Sequence, residues 1–184
     1  LHDDHVGGVD DLVGRVGCNR VLVAGGVSEQ IPEDLSASIT KLSGHAAEEI
    51  SCGDTIRVGS FSLRVVSPTE PVDGGENADS LELALTYEHN GNGLSGLLTG
   101  DAEKDETAAC LARGDVGDID FLKVGHHGSE VSLTADEAVL LNPESPLQAL
   151  ERATSTVTRA RSAWMCYRAP VRFFSAPRTW GQSR

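Results

Sequence analysis

Hydrophobic and polar residues alternate with a period of two over much of the first 100 positions. Thr55–Val58 and residues 61–66 alternate on either side of Gly59-Ser60, which predicts a hairpin with one buried face. Residues 80–87 alternate again, with Leu81, Leu83 and Leu85 on one face and Glu82, Ala84 and Thr86 on the other. A turn over residues 90–93 leads into residues 94–99, a more continuous apolar strand broken only by Ser95 and Gly96. Residues 20–24 form a brief apolar strand stopped by Gly25-Gly26, and residues 119–124 a short buried one. Helical spacing is found over residues 9–16 and 103–113. It recurs behind Pro32, where Glu33 and Asp34 fill a first turn and Gly44 ends the helix after Leu42. Thr134 and Glu137 form a capping box that opens a helix to Leu141. Pro68, Pro71, Gly74 and Gly75 mark residues 67–79 as loop. Strands outnumber helices and come in hairpins, which predicts a layered α/β arrangement and not a parallel doubly wound one.

Composition divides the chain. Its 184 residues suffice for one domain with a real core, and the net charge is −13. Residues 1–144 hold 27 acids and 8 bases, whereas residues 145–184 hold one acid and seven arginines. The second stretch keeps neither period, and carries Trp164, Tyr167, Phe173, Phe174 and Trp180 without an obvious face. Residues 1–144 are therefore expected to form the domain, and residues 145–184 a poorly ordered or foreign basic tail. No apolar run reaches bilayer length, and the first residues are polar and charged, unlike a signal peptide. The chain is expected to be a soluble fragment. Cys18, Cys52, Cys110 and Cys166 match no zinc-ribbon spacing and are expected to be buried or half-buried thiols.

Candidate chemistry collects where strands end. His2, Asp4 and His5 fall on a tight stretch before Gly7-Gly8, Asp101 follows Thr99-Gly100, and His126-His127 stand between Gly125 and Gly128. Each group alone has an ordinary reading as a turn residue, a cap or an exposed loop. Together, imidazoles and carboxylates at three strand ends are what a Zn²⁺, Mn²⁺ or Fe site requires.

Leu1-His2-Asp3-Asp4-His5-Val6-Gly7-Gly8 resembles the His-x-His-x-Asp-His motif of the metallo-β-lactamase superfamily, lacking its first His. Residues 97–103 (Leu-Leu-Thr-Gly-Asp-Ala-Glu), 122–129 (Leu-Lys-Val-Gly-His-His-Gly-Ser) and 77–81 (Asn-Ala-Asp-Ser-Leu) are similar to the C-terminal domain of ComEC-type competence proteins. The likeness runs across residues 1–144. It implies an αββα sandwich, here incomplete, with the N-terminal sheet missing and the closing strands out of frame. It further implies His2 in a first metal site, Asp4 and His5 in a second, and Asp101 bridging the two. One of His126 and His127 would complete the second site, and His126 is favoured as the residue next to Gly125. Asn77 stands near the place of the superfamily's middle histidine motif. One Zn²⁺ or Mn²⁺ site is therefore expected to be retained, with the other incomplete. Asp4 and Asp101 are the expected catalytic carboxylates, and Asn77, Lys123 and Ser129 the candidates for substrate contact.

The activity implied is metal-dependent hydrolysis of single-stranded DNA by a phosphodiesterase or nuclease during DNA uptake. The parent would sit in the plasma membrane, its channel domain on the same chain. The acidity of residues 1–144 does not itself suit a polyanion. The alternatives are a small-molecule metallo-hydrolase of lactonase or thioesterase type, or an inactive fragment. One permissible codon choice for residues 149–158, read one base earlier, yields Val-Gly-Ala-Gly-Asn-Glu-Tyr-Gly-His, which resembles the family's closing block. Residues from about 145 onward are thus expected to be an out-of-frame translation.

Overall fold

A computed structural model describes residues 1–148, and for residues 145–148 the backbone alone. The rest of the tail, with its five aromatic residues and Cys166, lies outside the described residues. Two short helices, α1 (Asp3–Val6) and α2 (Val9–Leu12), open the chain. Strand β1 (Leu22–Ala24) follows, and helix α3 (Glu33–Ser43) leads to β2 (Glu48–Ile50), which pairs with β1 in parallel. A larger sheet then forms from β3 (Thr55–Val58), β4 (Phe61–Ser67), β5 (Glu82–His89) and β6 (Asn92–Leu98), all antiparallel. Helix α4 (Lys104–Arg113) carries the chain to β7 (Phe121–Val124), and α5 (Ala135–Leu141) to β8 (Ser145–Gln148). Both strands run parallel to their neighbours, so the six-stranded sheet is mixed, in the order β3-β4-β5-β6-β7-β8. The described residues form a mixed α/β fold with two sheets.

Local sequence accounts for most of these boundaries. His89 pairs with Asn92, so the β5–β6 turn is only Asn90-Gly91, with φ of 50° and 79°. That is the conformation a two-residue hairpin needs, and Asn-Gly adopts it most readily. Strand β6 accordingly begins at Asn92, two residues before its apolar run. Gly44 closes α3 with φ of 80°, and Thr134 caps α5 by accepting from the Glu137 backbone N–H at 3.2 Å. Strand β2 has no apolar alternation to announce it. Strand β8 extends the sheet four residues past 144, and Pro146 is tolerated there because β8 is the outermost of the described strands.

The main core lies between one face of the large sheet and the helices α4 and α5. Val66, Leu97, Cys110, Val116, Ile119, Leu122 and Leu141 form it, with Ala84, Leu111, Val124 and Leu133 packed around them. Each buried Leu contributes about 1.5–3 kcal/mol relative to exposure. The alternation in β5 is as the sequence suggests, but the side turned towards α4 is that of Glu82 and Ala84. Leu83 and Leu85, on the other side, are half-buried. Glu82 is fully buried because its two oxygens find donors on α4: the Thr107 hydroxyl at 3.1 Å and the Cys110 thiol at 2.8 Å. Arg113 closes the group, donating to the Val66 carbonyl at 2.7 Å and to Cys110 Sγ at 3.3 Å. Cys18 and Cys52 are half-buried free thiols and Cys110 is fully buried.

Burial raises the pKa of Glu82 above its ordinary value, against the hydrogen bonds from Cys110 and Thr107 that favour the ionised form. A group whose folded pKa is raised stabilises the fold below its unfolded pKa and loses that contribution as pH rises through the folded value. We therefore expect the urea-unfolding free energy of wild type, relative to Glu82→Gln, to fall as pH increases above about 4.3 and then level off. A difference that is flat with pH, or that rises, would contradict a buried and raised Glu82.

Candidate metal centre

Three elements deliver the polar clusters to one end of the large sheet. Helix α1 carries Asp4 and His5, the turn after β6 carries Asp101, and the loop after β7 carries His126 and His127. Asp101 sits in a tight turn in which the Ala102 N–H donates to the Thr99 carbonyl at 2.9 Å. Its own N–H donates to Ser80 Oγ at 3.0 Å, and the Thr99 hydroxyl ties the turn to the Lys123 carbonyl at 2.7 Å. Parallel pairing of Leu98 with Lys123 sets the ends of β6 and β7 side by side.

Gly125 makes this closeness achievable. A Cβ there would lie 2.2 Å from the Ala102 carbonyl oxygen, well inside contact distance. The two loops therefore meet backbone to backbone. Beyond Gly125 both histidines adopt left-handed conformations, with φ of 42° and 53°. Non-glycine residues rarely do so, and such a pair requires its surroundings to hold it.

The result is one compact cluster. Donor atoms of Asp4, His5, Asp101 and His127 all lie within 4.8 Å of one another. His5 Nε2 is 2.7 Å from Asp101 Oδ2, and His127 Nε2 is 3.0 Å from Asp4 Oδ2 and 3.4 Å from Asp101 Oδ2. Asp101 is only 5% exposed, and among the described residues its other oxygen, Oδ1, is buried without a hydrogen-bond partner. A buried carboxylate costs free energy unless cations balance it. Two imidazoles and two carboxylates fit a divalent metal ion. Partial burial pushes the Asp4 carboxyl up. The hydrogen bond to His127, its own backbone and the charges of His5 and His127 outweigh this and leave it below the ordinary range. The Lys123 ammonium donates to the Gly100 carbonyl and lies 4.0 Å from Asp101 Oδ1. Burial lowers its pKa, and the Asp101 charge acts against that.

The structure separates residues that the sequence groups together. His127, and not its neighbour His126, stands in the cluster, because two successive left-handed residues send their side chains to different partners. His126 Nδ1 lies 3.3 Å from Glu103 Oε1, 3.3 Å from Ser129 Oγ and 3.4 Å from Asn77 Nδ2. His2 points away, its Nε2 lying 3.1 Å from the Gly75 carbonyl. Two residues, Glu103 and Ser80, hold the site without having been singled out for it. The available signal was their position inside the quoted motifs, Glu103 two residues after Asp101. Beside His5 and Asp101 opens a cavity of about 380 Å³ with Leu1, Val6, Leu22, Val23, Val27 and Leu81 in its wall.

The described residues thus form a mixed α/β fold of two sheets with an Asp/His cluster at its strand ends. The chain is 28% identical over 144 residues to "ComE operon protein 3" of Bacillus subtilis (strain 168), which covers 78% of this chain and 18% of that protein. It thus spans less than a fifth of that relative's length. No family model matches the chain. Among solved structures it is similar to CmlA, a diiron beta-hydroxylase from Streptomyces venezuelae, with a TM-score of 0.45 and 20% identity over 67% of this chain and 23% of that one. A mutant of the same hydroxylase gives a TM-score of 0.40 and 19% identity over the same shares. Among the described residues no helix is long and apolar enough to cross a membrane.

Asp101→Asn is expected to leave the metal-free protein at least as stable as wild type, since it removes one of two carboxylate charges from the cluster. It should abolish the stabilisation gained on adding Mn²⁺ or Zn²⁺, about 2.7 kcal/mol at a hundredfold excess over Kd. Thermal melting with and without metal measures both. Equal metal-induced gains in the two proteins would remove Asp101 from the ligand set.

Proposed function

We propose that this chain is the hydrolase part of a ComEC-type DNA-uptake protein and that it cleaves phosphodiester bonds of single-stranded DNA. The convergence of Asp4, His5, Asp101 and His127 carries this reading, in a stretch similar over 144 residues to ComE operon protein 3. A bound Zn²⁺ or Mn²⁺ supplies an acidified water and polarises a phosphoryl oxygen. The protein's own groups do the positioning. Asp101 presents its carboxylate from a turn held at both ends, by Ser80 and by the Thr99–Lys123 contact. His5 Nε2 faces Asp101 and His127 Nε2 faces Asp4, so the four candidate ligands converge on one point. The Lys123 ammonium offsets negative charge on the closed side of the site, which lowers the repulsion that a phosphate would meet.

The architecture proposed with it is an αββα sandwich, of whose smaller sheet the described residues supply β1 and β2. In support, Val58, Phe61 and Leu94 are 47%, 43% and 42% exposed along one row of the large sheet. In the parent, a membrane channel domain would deliver the DNA. We also propose that residues 1–144 are the domain proper and that the chain leaves its reading frame near residue 145, because charge and periodicity change there together. Sequencing the coding DNA is expected to reveal the family's closing block one base out of phase. An uninterrupted frame lacking that block would end this proposal.

A second reading, a small-molecule hydrolase, is favoured by the apolar-walled cavity beside His5 and Asp101 and by the net charge of −13. The decisive assay is cleavage of single-stranded DNA by the purified chain with added Mn²⁺ or Zn²⁺. We expect metal-dependent cleavage that falls roughly 100-fold or more in Asp101→Ala. Hydrolysis of lactones or thioesters without DNA cleavage would favour the second reading. Absence of metal uptake would defeat both and leave an inactive fragment.

A further inference from the structure

We propose that Lys123 is the second cation of this centre: its ammonium occupies the Oδ1 side of Asp101, so the cluster takes a single divalent ion, on the Oδ2 side. The count of one ion rests on the metal reading above, whereas the pairing of Lys123 with Asp101 stands without it.

The two oxygens of Asp101 have different surroundings. Oδ2 faces the cluster, 2.7 Å from His5 Nε2 and 3.4 Å from His127 Nε2. Oδ1 is buried and, among the described residues, accepts no hydrogen bond. Its charged neighbour is Lys123 Nζ, 4.0 Å away. The fold holds that ammonium in place. Parallel pairing sets Lys123 beside Leu98 at the end of β6, and Nζ donates to the Gly100 carbonyl, in the same turn that presents Asp101.

A carboxylate that bridges two metal ions gives one oxygen to each, with the ions about 3.5–4 Å apart. Here the Oδ1 side already holds an ammonium. A dication brought to that oxygen would meet a like charge at a few ångströms, in partly desolvated surroundings where screening is weak. Ligands for such an ion are not assembled either. His2, which the family resemblance implies for a first site, has its Nε2 3.1 Å from the Gly75 carbonyl. Asn77 presents its amide nitrogen, a donor and not a ligand, to Glu103 Oε1 at 3.1 Å. Among the described residues no second group of three or more metal-ligating side chains comes as close together as Asp4, His5, Asp101 and His127. One dication balances the carboxylates of Asp4 and Asp101, and Lys123 then leaves a surplus positive charge for an anionic group of the substrate.

A lysine that only held Asp101 in place and a lysine that acts as a cation have opposite consequences when replaced. Loss of the first would disorganise a ligand and weaken metal binding. Loss of the second removes a repulsive charge and tightens it.

The test uses the full chain with Lys123→Met, which keeps the length of the side chain without its charge, and Lys123→Arg, which keeps the charge. Mn²⁺ titration followed by electron paramagnetic resonance should count one tightly held ion per wild-type chain. Lys123→Met should bind Mn²⁺ about tenfold more tightly, the scale of a unit charge acting over a few ångströms, and Lys123→Arg should show no such gain. Weaker binding by Lys123→Met would overturn the proposal, as would equal tightening in both variants or two tightly held ions in wild type. In the metal-free protein, urea unfolding of Lys123→Met, Asp101→Asn and the double variant should show that Lys123→Met destabilises more when residue 101 is a carboxylate. Additive effects would dissolve the pairing. If wild type takes up no Mn²⁺, the metal reading fails and the count of one ion with it, while the same cycle still decides whether Lys123 balances Asp101.

Discussion

The site depends on a single backbone approach, that of Gly125 to the Ala102 carbonyl, where no side-chain carbon fits. Parallel pairing of β6 with β7 brings the two strand ends together, and the missing Cβ lets them close completely. Asp101, Glu103 and both histidines are hung from that junction. Asp101 precedes Ala102, Glu103 follows it, and the two histidines follow Gly125. The helix bearing Asp4 and His5 then covers the junction from the far end of the sequence. The core formed by Val66, Leu97 and Leu122 holds the strands in place beneath. Packing thus determines where the backbone lies, and the backbone determines which side chains can meet.

Electrostatics act on two scales here, and they differ in what they favour. Locally, carboxylates and imidazoles alternate around a buried oxygen, an arrangement that welcomes a cation. Globally, the chain is strongly acidic, which repels a polyanion over about a Debye length, roughly 10 Å in ordinary salt. Within the site the nearer charges dominate, because Lys123 and a metal would act at a few ångströms through partly desolvated surroundings. Beyond it the acidic surface wins, and a polyanion meets net repulsion.

Much of the fold was legible in residue pattern. The Asn90-Gly91 turn, the β3–β4 hairpin, the Thr134–Glu137 cap and the glycine end of α3 each follow from local chemistry, and local chemistry is what a sequence displays. Strand β2 was not, because three residues beside a partner strand need no periodicity of their own. The side of β5 that faces α4 was illegible for a different reason. Burial of Glu82 depends on Thr107 and Cys110, which come from another element. At the site, the convergence of Asp4, His5 and Asp101 with a histidine followed from motifs at strand ends. Which histidine it would be turned on two φ angles, and backbone dihedrals at non-glycine residues leave no mark in composition. His2 falls to the Gly75 carbonyl for a similarly tertiary reason.

Cys110 gives the molecule a built-in clock. Its thiol is fully buried, bonded to Glu82, and pushed far above the ordinary thiol pKa first by burial and then by the Glu82 charge. A thiol in that state is inert, since only the thiolate attacks. It becomes reactive when α4 lifts from the sheet, whereas Cys18 and Cys52 are partly accessible throughout. The rate at which a thiol reagent captures Cys110 therefore reports how often this layer opens. Helix α4 starts just beyond Asp101, so the layer whose opening Cys110 reports is the one next to the Asp/His cluster.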